Sequence, residues 1–223
     1  TLGEHFRIIA PDHRGHGKGI NSKSPFRLED CADDVAAIAD VLGINTFIPV
    51  GYSMGGTIAQ LVWKRHESRV RGLVLCSTAA SFAVSREERL SFLGLTGLAV
   101  LARLTSKQTI EWLTEQLYMQ RKGEGLEPWA IEQMASHDWR KILEAGSAIG
   151  NFDSTSWLKD VDVPASVVIT TQDQVVAVDR QQRLLNLLDD VDAHFIDGAH
   201  NAIYTDHPTY VPLLLSAITS VHQ

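Results

Sequence analysis

Short apolar runs and helix-spaced apolar stripes alternate along the chain. Phe6, Ile8 and Ile9 make residues 6–10 a short apolar run, ending at Pro11 and Asp12, and predict a buried strand. A loop with Gly15, Gly17 and Gly19 follows. Over residues 28–42, Leu28, Cys31, Val35, Ile38, Ala39 and Leu42 recur at helical spacing, and Gly43 stands where a helix C-cap belongs. Residues 46–50 predict a second strand, and 57–65 a helix directly after it. Residues 70–76 predict a third strand, apolar enough for burial on both faces. The rhythm then breaks: 81–152 predicts several helices and no strand. It resumes with a strand at 165–170, a helix at 180–188, a strand at 193–196 and a closing helix at 208–221. Such alternation implies an α/β fold, a mostly parallel sheet flanked by helices, interrupted by a helical insertion. The expected segments are a first part of the core at 1–80, the helical block at 81–152 and a second part of the core at 153–223.

Composition narrows the partners. Hydrophobic residues make up 44% and charged residues 21%, as in globular chains rather than disordered ones. The net charge is -7 and there is no run of Lys or Arg, which argues against a nucleic-acid partner. The longest apolar stretch, 92–104, contains Gly94, Thr96, Gly97 and Arg103 and falls short of the roughly 18 residues of a membrane span. No signal peptide is visible, and the cytoplasm is the expected compartment. Cys31 and Cys76 do not make a disulfide framework, and Cys76 reads as a small core residue.

The strongest chemical signal is Gly51, Ser53 and Gly55 in a G-x-S-x-G pattern between a strand and a helix. A strand turning sharply into a helix forces the serine into a strained conformation. Side chains at Gly51 and Gly55 are expected to collide with that turn. Ser53 would then stand at a helix N-terminus, where developing negative charge is favoured.

A serine hydroxyl needs a base, and the base needs an orienting acid. In a strand-turn-helix setting of this kind the chain order is serine, acid, histidine. His200 follows the last expected strand and Asp173 the one before it, so both sit with Ser53 at the C-terminal ends of parallel strands. Of the nine histidines, His200 alone combines a strand end, a nearby glycine and the right order. Asp173 is preferred over Asp153 and Asp179 because it directly follows a strand. The backbone N–H of Met54 is the expected first oxyanion donor, and no second donor is identified. The pair His13 and His16, beside Asp12, lacks the ligand number and support of a zinc site. The glycine loop lacks the spacing of a dinucleotide site. No metal and no cofactor are expected.

These segments together resemble the α/β-hydrolase superfamily. Residues 9–17 resemble its loop after the fourth strand, 51–56 its nucleophile elbow, 163–173 the strand leading to its acid and 198–200 its histidine loop. The block at 81–152 resembles its cap domain. The resemblance implies three further strands before residue 6, the third lying between the strands at 6–10 and 46–50 and carrying the second oxyanion donor. The chain is therefore expected to be a piece of a longer hydrolase, and those two strands are expected not to pair with each other.

Tyr52, Trp112, Trp129, Trp139 and Trp157 are candidate pocket residues, suited to a small-molecule substrate with an apolar group. The expected activity is that of a serine hydrolase cleaving a carboxylic ester-type bond through an acyl-enzyme. A serine at the elbow argues against the epoxide hydrolases and haloalkane dehalogenases, which use an aspartate there. The same triad also serves C–C bond hydrolases, perhydrolases or haloperoxidases, and a lyase-type synthase. A non-catalytic binding protein or inactive fragment is the reading that the missing oxyanion strand motivates.

Overall fold

The computed structural model describes residues 1–83, 85–104 and 139–222. They divide into two compact units. One comprises Thr1–Ile9, Leu28–Phe82 and Asn151–Gln223, and the other Ala10–Arg27 and Ala83–Gly150.

The first unit is built on four parallel strands in sequential order: β1 (Val50–Tyr52), β2 (Leu73–Cys76), β3 (Ala165–Thr170) and β4 (Val191–Ile196). Every residue of β2 and β3 is buried: the apolar run of β2 predicts this for a central parallel strand, and in β3 the polar Ser166 and Thr170 are buried as well. Five helices of this unit follow: α1 (Leu28–Val41), α2 (Met54–Arg65), α5 (Val178–Leu185), the short α6 (Ala202–Thr205) and α7 (His207–Ser220). On one face of the sheet, Val74, Cys76, Val168 and Ile196 pack against Tyr210, Leu214, Ala217 and Ile218 of α7. The alternate residues Leu73, Leu75, Val167 and Ile169 are equally buried, with α2 packed on β2 and α5 on β3.

Local chemistry sets the helix positions. Gly43 takes φ +66°, its N–H bonds Asp40 O, and Ile44 N–H bonds Ala39 O. That pair of bonds is the Schellman termination expected of a glycine there. The C-terminal end of α2 is tied to α1 by Arg65, which grips Asp33 with two bonds of 2.8 and 2.6 Å, while His66 Nε2 lies 2.9 Å from the same carboxylate.

One expected strand does not form. Arg7–Ala10 have no regular structure, and Ile8 is 54% exposed. A strand needs a partner to satisfy its backbone groups, and none of the described strands pairs with this segment. Residues 46–50 likewise yield only the bridge Phe47 to Val70 before β1 begins. Among the described residues β1 is an edge strand, and it is not hydrogen-bonded to residues 6–10.

The second unit contains α3 (Arg86–Leu104) and α4 (Trp139–Gly150), which pack together; Phe92 lies directly over Gly150, and Thr96 Oγ1 is 2.6 Å from Ser147 Oγ. The glycine loop belongs to this unit. The Lys141 stem rests on Gly15, where a Cβ would fall 2.4 Å from Lys141 Cγ. Lys141 Nζ then donates to Ser24 O at 2.5 Å and to Glu144 at 3.1 Å, and Glu144 also accepts from Phe26 N–H at 2.8 Å. A buried ion pair is tolerable because these bonds offset its loss of hydration. Neither α3 nor any other described helix is long and apolar enough to cross a membrane.

Candidate active site

Ser53 occupies the turn between β1 and α2 with φ +53° and ψ -119°, a conformation non-glycine residues rarely adopt. Three bonds hold it there. Its N–H donates to Cys76 O at 2.9 Å, and its carbonyl accepts from Gly56 N–H at 2.9 Å and Thr78 Oγ1 at 2.8 Å. The turn therefore hangs from the end of the buried strand β2.

The two glycines of the motif differ. A Cβ on Gly51 would lie 2.2 Å from the Gly55 carbonyl oxygen, so nothing larger fits. Gly55, expected to be equally constrained, has open space where its Cβ would be. The crowded neighbour is Gly56, whose Cβ would meet the Thr78 side chain at 2.4 Å. The second steric requirement is thus for close approach of α2 to the residues after β2, which the spacing of the motif does not reveal.

The three residues expected to form a triad come together. His200 Nε2 lies 3.0 Å from Ser53 Oγ, and His200 Nδ1 lies 2.7 Å from Asp173 Oδ2. Ser53 follows β1, Asp173 follows β3 and His200 follows β4, so three strand ends supply them, as open parallel sheets allow.

Asp173 is 5% exposed and receives bonds on both oxygens. Oδ1 accepts from Val175 N–H and Val176 N–H, each at 2.9 Å. Oδ2 accepts from Thr170 Oγ1 at 2.7 Å and Gln181 Nε2 at 3.1 Å, besides facing His200. Burial pushes the carboxyl's pKa up. The bonds from His200, Val176, Thr170 and Val175 outweigh it and hold the pKa below the ordinary value. A carboxylate in such a setting is an acceptor for an imidazole N–H.

The remaining candidates differ in their surroundings. Tyr52 was expected to line a pocket, but its hydroxyl donates to the main-chain carbonyl of His200 and its ring lies 5.1 Å from the imidazole. Burial is the first cause that drives its phenol pKa up. Trp157 stacks on Trp63 at 6.1 Å, with Lys64 Nζ 5.7 Å from the Trp157 ring. Trp63 sits near the far end of α2, about 15 Å along the axis from Ser53 at 1.5 Å per residue. Trp157 therefore braces the back of α2 rather than the serine. Trp112, Trp129 and the side chain of Trp139 lie outside the described residues. The Met54 N–H is the first of α2, among the four amides a helix leaves without an internal acceptor. Asp12 is used within its own loop, accepting from Lys18 N–H at 2.9 Å.

Sequence reasoning missed Thr170 and Gln181. Thr170 ends a strand that was expected, and Gln181 is a polar residue on an expected helix. Its full burial is the signal, and only the packed structure carries it.

A family model described as alpha/beta hydrolase fold matches residues 1–207. The non-heme chloroperoxidase of Streptomyces lividans is 27% identical, the match covering 98% of this chain and 84% of that protein. The bifunctional esterase/perhydrolase DCH of Acinetobacter calcoaceticus is 28% identical, covering 78% of this chain and 67% of that protein. Among solved structures, a thermophilic esterase from Thermogutta terrifontis superposes with a TM-score of 0.79 at 22% identity, covering 100% of this chain and 83% of that one.

Proposed function

The chain belongs to the alpha/beta hydrolase fold family, and on that premise we propose that it is a serine hydrolase cleaving a carboxylic ester-type bond through an acyl-enzyme on Ser53. The observation that carries this reading is His200, bonded through one ring nitrogen to Ser53 Oγ and through the other to Asp173. His200 Nε2 takes the hydroxyl proton as Ser53 Oγ attacks the ester carbonyl carbon. The oxyanion that forms faces the Met54 N–H at the positive end of α2. Collapse breaks the bond to the alcohol, which leaves with the proton from His200. Water then gives its proton to His200 and attacks the acyl carbon, the carboxylic acid departs, and the proton returns to Ser53. Asp173 stays ionised throughout, holding the Nδ1–H tautomer and offsetting the imidazolium charge. General-base catalysis of this kind is worth about 10²–10⁴ in rate.

The substrate on this reading is a small molecule with an apolar acyl or alcohol group, and no cofactor takes part. A second reading has hydrogen peroxide replacing water in the deacylation, releasing a peroxycarboxylic acid. It is favoured by the similarity to the chloroperoxidase and the esterase/perhydrolase.

Intact-mass spectrometry after fluorophosphonate treatment tests the nucleophile, using this chain and Ser53→Ala. An adduct on the wild type alone is expected, and unlabelled wild type should turn over p-nitrophenyl esters. A folded wild type that takes no adduct would sink the proposal. Peracid detection with and without hydrogen peroxide separates the two readings.

A further inference from the structure

Beneath His200, Gln181 from α5 is fully buried, and the structure accounts for both polar ends of its amide. Its Oε1 accepts from Thr170 N–H at 3.1 Å. Its Nε2 donates to Val176 O at 2.8 Å and Asp173 Oδ2 at 3.1 Å, and lies 3.2 Å from Thr170 Oγ1. Thr170 Oγ1 places its shortest contact, 2.7 Å, on the same Asp173 oxygen, with Ser77 Oγ at 3.2 Å. Burying an uncharged amide and hydroxyl is costly unless each is satisfied, so a chain that keeps both here gains something from their geometry.

We infer that Gln181, together with Thr170, is a positioning residue that fixes the rotation of the Asp173 carboxylate so that Oδ2 presents a lone pair to His200 Nδ1. This rests on the roles proposed above for Ser53, His200 and Asp173. The two backbone amides on Oδ1 fix only one oxygen. Rotation about the Cβ–Cγ bond moves both oxygens together, and the amides on Oδ1 alone leave Oδ2, the oxygen facing His200, without a restraint of its own. Gln181 and Thr170 supply that restraint at Oδ2 itself. Being neutral donors, they also share the carboxylate charge with the imidazole without replacing it as the partner. The titratable groups that interact with Asp173 are His200, from the loop after β4, and Tyr52, from β1.

The test uses Gln181→Met, which keeps length and burial but removes every hydrogen bond of the amide, and Thr170→Val, which removes only the hydroxyl. In the wild type, the His200 Nδ1–H should give a downfield proton resonance. In Gln181→Met it should broaden or move upfield, with a smaller change in Thr170→Val. Ester kcat should fall about 10- to 100-fold in Gln181→Met while KM stays within about twofold, the range seen when orientation rather than binding is lost. A folded Gln181→Met with unchanged resonance and kcat would overturn the inference. If Gln181→Met fails to fold, Thr170→Val decides it by the same readouts. The resonance is read without substrate, so a wild type that cleaves no ester would sink the proposed function and leave this test standing.

Discussion

The Tyr52 hydroxyl donates to the carbonyl of His200 across 148 positions of sequence, and the same ring lies 5.1 Å from the imidazole. Tyr52 immediately precedes Ser53, so one side chain links the turn carrying the serine to the loop carrying the histidine. Tyr52→Phe keeps the ring and loses the bond. It should cost about 1 kcal/mol of stability, as a buried hydrogen bond does, and lower ester kcat about 3- to 10-fold at unchanged KM. Chemical denaturation and steady-state kinetics check both; equal kcat in the two proteins would mean that ring contact alone places His200.

Gly51 and Gly55 should respond in opposite ways. Gly51→Ala forces a methyl into the Gly55 carbonyl and should prevent assembly of the turn, with loss of labelling and of the folded state. Gly55→Ala meets open space inside α2 and should leave stability unchanged or raise it by about 0.5–1 kcal/mol, the helical advantage of alanine over glycine. Melting temperatures of the two variants decide this, and a Gly55→Ala protein as damaged as Gly51→Ala would contradict it.

The Asp173 carboxyl makes stability depend on pH in a stated direction. Its folded pKa lies below its unfolded value, so ionisation stabilises the fold above the unfolded value and that contribution is lost as pH falls through the folded one. Asp173→Asn removes the effect. Urea midpoints taken between about pH 6 and about pH 3 should show a wild-type advantage that is constant at the upper end and shrinks below about pH 4. Parallel curves for the two proteins would show that Asp173 does not titrate differently on folding.

Trp157 should matter to stability and not to substrate. Its ring covers Trp63 at the end of α2 remote from Ser53. Trp157→Ala should cost about 3 kcal/mol, as aromatic truncations in packed sites do, while ester KM stays unchanged at a temperature where both proteins are folded. A raised KM without a fall in stability would return Trp157 to the pocket.

The parts of this molecule that are local in origin were legible in the sequence. Gly43 ends α1 because a left-handed residue is needed within a few positions of the last helical turn. The run of β2 read as a buried strand because a parallel strand covered on both faces has no polar side. Ser53, Asp173 and His200 were legible because strand ends in an open parallel sheet converge. What depended on distant neighbours was not legible. Residues 6–10 have strand composition, and among the described residues no strand pairs with them. The demand for a glycine at 56 comes from Thr78, and the burial of Gln181 from the end of β3. Tyr52 and Trp157 were singled out by residue type alone, and the contacts they make with the His200 main chain and with Trp63 are set by packing.

The sequential order of the sheet has a kinetic consequence. Ser53 and His200 meet across 147 residues, and each parallel pairing on the way closes a long loop before it gains any contact energy. The turn that strains Ser53 can form once β1 and β2 pair, long before β4 arrives. During refolding, helix and strand signals should therefore recover ahead of serine reactivity, and a fluorophosphonate pulse should mark only those molecules whose last strand has docked.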